Sequence, residues 1–248
     1  LEGHEDCVRC ACFYPDEGKL VSGSEDETLR IWDRKTGASQ VLSGHTGVVW
    51  DVDVSQDGKM VVSGSGDKTV RIWNGESGET MHLFEGHEEV VRSVKFSPDS
   101  STVVSGSEDR TVRVWLNASH PVPVQVFEGH EDWVRCTCLY PDENKVVSGS
   151  DDNTLRIWDR KTGAVKVLSG HTGYVQAVNV SLDGNIVVSG STDKTVRMWD
   201  GESGETIHIF EGHEGEVRSV QFSPDSTRIV SGSTDNTVRV WSAEMGEL

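Results

Sequence analysis

Six Gly-His pairs recur along the 248-residue chain, at Gly3-His4, Gly44-His45, Gly86-His87, Gly129-His130, Gly170-His171 and Gly212-His213. The histidines stand 41, 42, 43, 41 and 42 residues apart. Each pair is followed, in the same order, by Ser-Gly-Ser, an Asp and a Trp. A fixed period of this length means one supersecondary unit, repeated and stacked on its neighbours. The reading is of a single domain, 1–248, whose repeats start near 3, 44, 86, 129, 170 and 212.

The second repeat shows what the unit is. Val49, Val52 and Val54 mark a first strand, and the change of apolar spacing from three to two predicts a bulge near its start. Gln56-Asp57-Gly58 is a turn signal. Lys59 to Ser63 reads as a second strand, Thr69 to Trp73 as a third and Glu79 to Phe84 as a fourth. Four short β-rich runs separated by turn residues predict a four-stranded antiparallel sheet. Such a sheet cannot bury both faces alone, so neighbouring repeats must stack.

The recurring polar residues fit one hydrogen-bonded chain. Trp73 is a donor only, Ser63 both donates and accepts, His45 does one of each through its two ring nitrogens, and Asp67 is an acceptor only. In the order Trp, Ser, His, Asp every proton has an acceptor. Losing one member strands a buried partner.

Gly-His, Ser-Gly-Ser-x-Asp and Trp-Asp at these offsets resemble the WD-repeat β-propeller family, and the resemblance covers the whole chain. It implies an all-β fold of six four-stranded antiparallel blades, the last lacking most of its outer strand. The family's structural tetrad maps onto His4, Ser22, Asp26 and Trp32, then His45, Ser63, Asp67 and Trp73, then His87, Ser105, Asp109 and Trp115. It continues with His130, Ser148, Asp152 and Trp158, then His171, Ser189, Asp193 and Trp199, and finally His213, Ser231, Asp235 and Trp241. The Asp after Trp is kept only at Asp33, Asp159 and Asp200. A Ser-His-Asp set that occurs six times is scaffold rather than a hydrolase triad, since a catalytic constellation is normally unique. No Gly-x-Ser-x-Gly elbow and no phosphate loop occur in the sequence. The expectation is therefore no enzyme, no catalytic residue, no cofactor and no metal. Cys7 and Cys10 have CxxC spacing with His4 nearby, but Trp133 takes the place of Cys7 in the matching later repeat, so small apolar strand residues are the preferred reading.

The first and second halves are near copies. Aligning 1–115 with 127–241, 30 of 115 positions differ. The family resemblance implies three partner-facing positions per repeat: three and five residues after the Gly-His histidine, and the residue before the tetrad Asp. Here these are Cys7, Arg9, Glu25; Val48, Trp50, Gly66; and Val90, Arg92, Glu108. The second half has Trp133, Arg135, Asp151; Tyr174, Gln176, Thr192; and Glu216, Arg218, Thr234. Seven of these nine matched pairs differ, against 23 of the other 106 positions, whereas Arg30, Arg71, Arg113, Arg156, Arg197 and Arg239 are constant. Divergence concentrated on one surface points to recognition, and Trp, Tyr and Arg are the usual binding anchors. The predicted partner-binding residues are Arg9, Trp50, Arg92, Trp133, Arg135, Tyr174, Gln176, Glu216 and Arg218, although a mutual Arg–carboxylate surface network would also account for the charged ones.

The net charge of −18 opposes binding to nucleic acid phosphates or anionic lipid, so neither is an expected partner. Five cysteines without a paired framework suit a reducing, cytoplasmic compartment, and no apolar run approaches the length of a membrane span. The expected function is a non-catalytic scaffold that binds a protein or peptide. Repeats this alike also resemble the sensor arrays attached to fungal nucleotide-binding switch proteins. The alternative is a structural element, or a piece of a longer array, that self-associates through the incomplete sixth repeat: the sequence ends at Leu248 where an outer strand would start, leaving the third strand near Thr237 to Trp241 as an edge.

Overall fold

In a computed structural model, which describes residues 1–118 and 123–243, every repeat is an antiparallel sheet. The chain divides into two compact units, Leu1–Glu128 and Gly129–Leu248. The first holds β1 (Val8–Phe13), β2 (Lys19–Ser24), β3 (Leu29–Asp33), β4 (Ser39–Leu42), β5 (Val49–Val54), β6 (Met60–Ser65), β7 (Val70–Asn74), β8 (Thr80–Phe84), β9 (Val91–Phe96), β10 (Thr102–Ser107), β11 (Val112–Leu116) and β12 (Gln125–Phe127). The second holds β13 (Val134–Leu139), β14 (Lys145–Ser150), β15 (Leu155–Asp159), β16 (Val165–Leu168), β17 (Val175–Val180), β18 (Ile186–Ser191), β19 (Val196–Asp200), β20 (Thr206–Phe210), β21 (Val217–Phe222), β22 (Arg228–Ser233) and β23 (Val238–Ser242).

Strands pair in chain order within each sheet, giving five four-stranded meanders and a sixth sheet of three strands. The fold is all-β and its sheets are the blades of a β-propeller, with a short last blade. Residues 244–248, where an outer strand of the sixth blade was expected to begin, lie outside the described residues. The bulge foreseen in the second repeat is present: the β5–β6 register shifts between Val49 and Asp51. The same shift occurs in the inner strand of all six sheets.

The core lies between consecutive sheets. In the first unit Val21, Leu29, Ile31 and Leu42 of the first sheet pack on Val49, Val52, Val61 and Trp73 of the second. Val62, Val70, Ile72 and Phe84 of the second then meet Val91, Val94, Val103 and Trp115 of the third. Two matching layers join the sheets of the second unit. The second and fifth sheets thus bury both faces, as expected of units that cannot bury their apolar surface alone.

The structure gives a reason for the six constant arginines. Arg71 lies 5.8 Å from the ring centre of Trp73, and Arg30, Arg156, Arg197 and Arg239 sit likewise on their tetrad tryptophans. Their guanidiniums press on the Gly-His glycine: a Cβ at Gly86 would meet Arg113 Nη1 at 2.8 Å. Packing therefore holds these arginines, and they are not a control for free surface drift.

Candidate functional site

The tetrads come first, because they fix the loops that carry the divergent residues. In the second sheet Trp73 Nε1 donates to Ser63 Oγ (2.8 Å), Ser63 Oγ donates to His45 Nε2 (2.7 Å), and His45 Nδ1 donates to Asp67 Oδ2 (2.7 Å). The same three bonds link each of the other five sets, at 2.6–2.9 Å. The tautomer follows from the network, since Asp can only accept and the indole can only donate.

Asp67 also accepts from Thr46 N through Oδ2 and from Thr69 N and Oγ1 through Oδ1, tying the Gly-His loop to the second hairpin turn. Burial pushes the Asp67 carboxyl up, but the bonds from His45 and Thr69 outweigh it and hold the group well below the usual carboxylate range. Burial also lowers the pKa of His87 and His171, so these imidazoles stay neutral.

The bulges decide where the divergent residues go. In each inner strand the residue at the register shift is the one five after the Gly-His histidine: Arg9, Trp50, Arg92, Arg135, Gln176 and Arg218. A bulge re-aims the side chain it carries. The other two positions are joined across the same loop by a backbone bond. Glu25 N donates to Cys7 O, Gly66 N to Val48 O and Glu108 N to Val90 O; in the second unit Asp151 N donates to Trp133 O, Thr192 N to Tyr174 O and Thr234 N to Glu216 O. Three residues scattered in each repeat's sequence thus become one local cluster.

In the first unit these clusters meet at Trp50. The Arg92 guanidinium lies 3.8 Å from its ring centre and that of Arg9 lies 5.0 Å away. Arg92 Nε donates to Glu108 Oε1 at 2.7 Å, and Arg9 pairs with Glu25. Gly66 stands where the neighbouring repeats have Glu25 and Glu108, which leaves room beside the indole: a Cβ there would lie 3.7 Å from Trp50 Nε1. In the second unit Arg135 forms a two-pronged pair with Asp151 at 2.7 and 2.6 Å, and its guanidinium lies 4.9 Å from the Trp133 ring centre. Arg218 reaches Gln176 Oε1 at 3.4 Å and pairs with Glu216. The rings of Trp133 and Tyr174 are exposed. The arginines engage carboxylates of their own repeats, so they act as braces behind the aromatic rings.

His4 does not join Cys7 and Cys10, because both its ring nitrogens are taken by Asp26 and Ser22. Among the described residues the group with metal-ligand proximity is Asp6, Cys7 and Glu25; Asp6 and Cys7 are exposed, and half-buried Glu25 is held by Arg9.

Sequence reasoning missed one cluster in the first unit. Asp51 Oδ2 accepts from Val94 N and Asp53 Oδ2 from Phe96 N, both at 2.9 Å, strapping the second sheet to the inner strand of the third. Lys95 Nζ donates to Asp53 Oδ1 at 3.2 Å. Burial pushes the Asp51 carboxyl up. It pulls the Lys95 ammonium down, but Asp53 and Asp51 outweigh it and raise that group. The signal was in the half-to-half comparison: Asp51, Asp53 and Lys95 become Ala177, Asn179 and Gln221 together. Asn179 Oδ1 still accepts from Phe222 N at 3.2 Å, so one strap survives without charge.

The family model described as WD domain, G-beta repeat matches residues 1–33, 38–74, 78–115, 121–159, 163–200 and 204–242. The chain belongs to the WD40 repeat family. Among curated proteins it is 48% identical over 62 residues to the nuclear distribution protein PAC1 of Komagataella phaffii, covering 24% of this chain and 12% of that protein. It is 46% identical over 54 residues to nuclear distribution protein nudF of Aspergillus flavus, covering 21% of this chain and 12% of the relative. The similarity is thus confined to a small part of each relative. The WD40 match lies on the repeat scaffold and spans all six tetrads.

Proposed function

We propose that this WD40 chain is a non-catalytic scaffold that binds a protein or peptide through the bulge residues of its repeats and the exposed rings beside them. One observation carries the reading: seven of the nine position pairs clustered at the bulges differ between near-identical halves, while the tetrads beneath them do not. Exposed Trp133 and Tyr174, and Trp50 between two arginines, are aromatic anchors of the kind that dominate protein interfaces. The repeated Ser-His-Asp sets are used up in scaffold hydrogen bonds, which argues against catalysis there. The acidic net charge disfavours a nucleic acid partner. The five cysteines, none of them in a disulfide, favour a reducing compartment such as the cytoplasm. From the nuclear distribution relatives we carry over only the repeat scaffold, because the match covers 12% of each.

The test compares what wild type and a Trp133→Ala/Tyr174→Ala chain capture from the source cell's lysate. Arg135 is left in place, because removing it would leave the 7% exposed Asp151 without its partner and confound binding with stability. The double variant is expected to lose a partner while melting with wild type. Capture of the same partners at the same level, with Trp50→Ala equally silent, refutes the assignment. A second reading, self-association through the sixth sheet, is favoured by β23, which pairs with β22 on one side and with no further strand among the described residues on the other.

A further inference from the structure

Each internal sheet pair is built from two kinds of face. One presents the second and third strands, as Val21, Leu29 and Ile31 do in the first sheet. The other presents the first and second strands, as Val49, Val52 and Val61 do in the second sheet, and the two interlock with none of these side chains more than 4% exposed. The fifth sheet offers Val188, Val196 and Met198 to Val217, Val220 and Ile229 of the sixth in the same way.

Two sheets leave one such face bare. In the first sheet the residues matching Val49, Val52 and Val61 are Val8, Ala11 and Leu20. Val8 is 53% exposed, Ala11 is exposed and Leu20 half-buried, and a cavity of about 380 Å³ opens over them, also lined by His4, Ser22 and Trp32. In the sixth sheet the residues matching Val21, Leu29 and Ile31 are Val230, Val238 and Val240. Val238 is 72% and Val240 59% exposed. A cavity of about 490 Å³ lies against Val240, Trp241 and Arg228.

We infer that the bare face of the sixth sheet receives the bare face of the first sheet of a second copy of this chain. The two faces are the two halves of one interface that the sequence forms four times internally. Val8, Ala11 and Leu20 on one face and Val230, Val238 and Val240 on the other are aliphatic residues at the same strand positions as in the internal interfaces, so the mate each face needs is already encoded in the other. An unrelated partner would have to imitate it. The contact is heterologous, and such contacts run head to tail unless they close. It uses none of the residues of the proposed recognition surface, so the two readings fail separately.

The experiment is sedimentation velocity on the full chain from micromolar to submillimolar concentration, with Val8→Glu, Val240→Lys and a control, Val41→Lys, on the exposed face of β4. Wild type and the control are expected to gain mass with concentration. Val8→Glu and Val240→Lys are each expected to stay monomeric. Their equimolar mixture is expected to give a dimer and nothing larger, because one retains a sound sixth face and the other a sound first face. All three substituted side chains are exposed, and Val238→Lys is a second probe of the sixth face if Val240→Lys does not fold. A monomeric wild type at every concentration overturns the inference. So does wild-type association by both face variants, or a mixture that stays monomeric.

Discussion

Replacing Asp152 by Ala tests whether the tetrads hold the sheets together or only decorate them. Four donors end on this carboxylate. Oδ2 takes His130 Nδ1 at 2.7 Å and Glu131 N at 3.1 Å; Oδ1 takes Thr154 N at 2.9 Å and Thr154 Oγ1 at 2.6 Å. The His130 side chain is fully enclosed, so its Nδ1–H has no water to turn to. Orphaning one buried donor costs about 1–3 kcal/mol. Glu131 is exposed and its N–H can be rehydrated, as can part of the Thr154 turn, so the remaining bonds add about 1 kcal/mol in all. The expected loss is about 2–4 kcal/mol. Asp152→Asn keeps an acceptor facing His130 and is expected to lose about half as much. The assay is urea unfolding followed by far-UV circular dichroism, with tryptophan fluorescence as a second probe, because repeat arrays can unfold in parts. Asp235→Ala in the sixth sheet is an internal comparison: it removes the same bonds beneath a part-exposed Trp241, and a smaller loss is expected. If Asp152→Ala unfolds within about 0.5 kcal/mol of wild type, the tetrad is not an enclosed network and the reasoning fails.

Acid should destabilise the fold in two stages. His87 and His171 are held below their ordinary pKa by burial, so the unfolded chain binds protons first and stability falls as the pH drops below about 6.5. The tetrad carboxylates Asp67, Asp152 and Asp193 are held low in the folded state, so their contribution is present above about pH 4 and is lost below it; a melting temperature that rises between pH 7 and about pH 5 would contradict this. Burial pushes the Cys12 thiol up to about 11 and raises Cys10 further, Cys136 is buried, half-buried Cys138 donates to Leu139 O, and of the five only Cys7 is exposed. Native protein should therefore show one fast thiol toward a disulfide reagent, abolished by Cys7→Ser; two or more fast thiols would mean the inner strands open readily.

Much of this molecule was readable from local chemistry. The tetrad was legible because donors and acceptors that must pair in a dry interior can be matched by type, and the repeat spacing shows that they recur. The bulge at Val49–Asp51 was legible because a strand cannot keep its period of two across an apolar spacing of three. Strand limits came within one or two residues. Lys59 and Thr69, read as strand starts, fall in turns because Asp57 and Asp67 accept their backbone N–H groups, which caps the turn and delays the ladder by one residue. What stayed hidden depended on partners from other repeats. Arg–carboxylate pairing on this face was among the readings the sequence offered, but nothing beside Arg9, Arg92 or Glu25 in the chain says that two guanidiniums would bracket Trp50. The Asp51, Asp53 and Lys95 straps, and the bare faces at Val8 and Val240, are likewise settled only when one sheet is laid on another. Periodicity is a property of a single strand and its turns, so the sequence by itself determined the blade. Which side chains are buried, paired or left uncovered is a property of two sheets at once, and only the tertiary structure decided that.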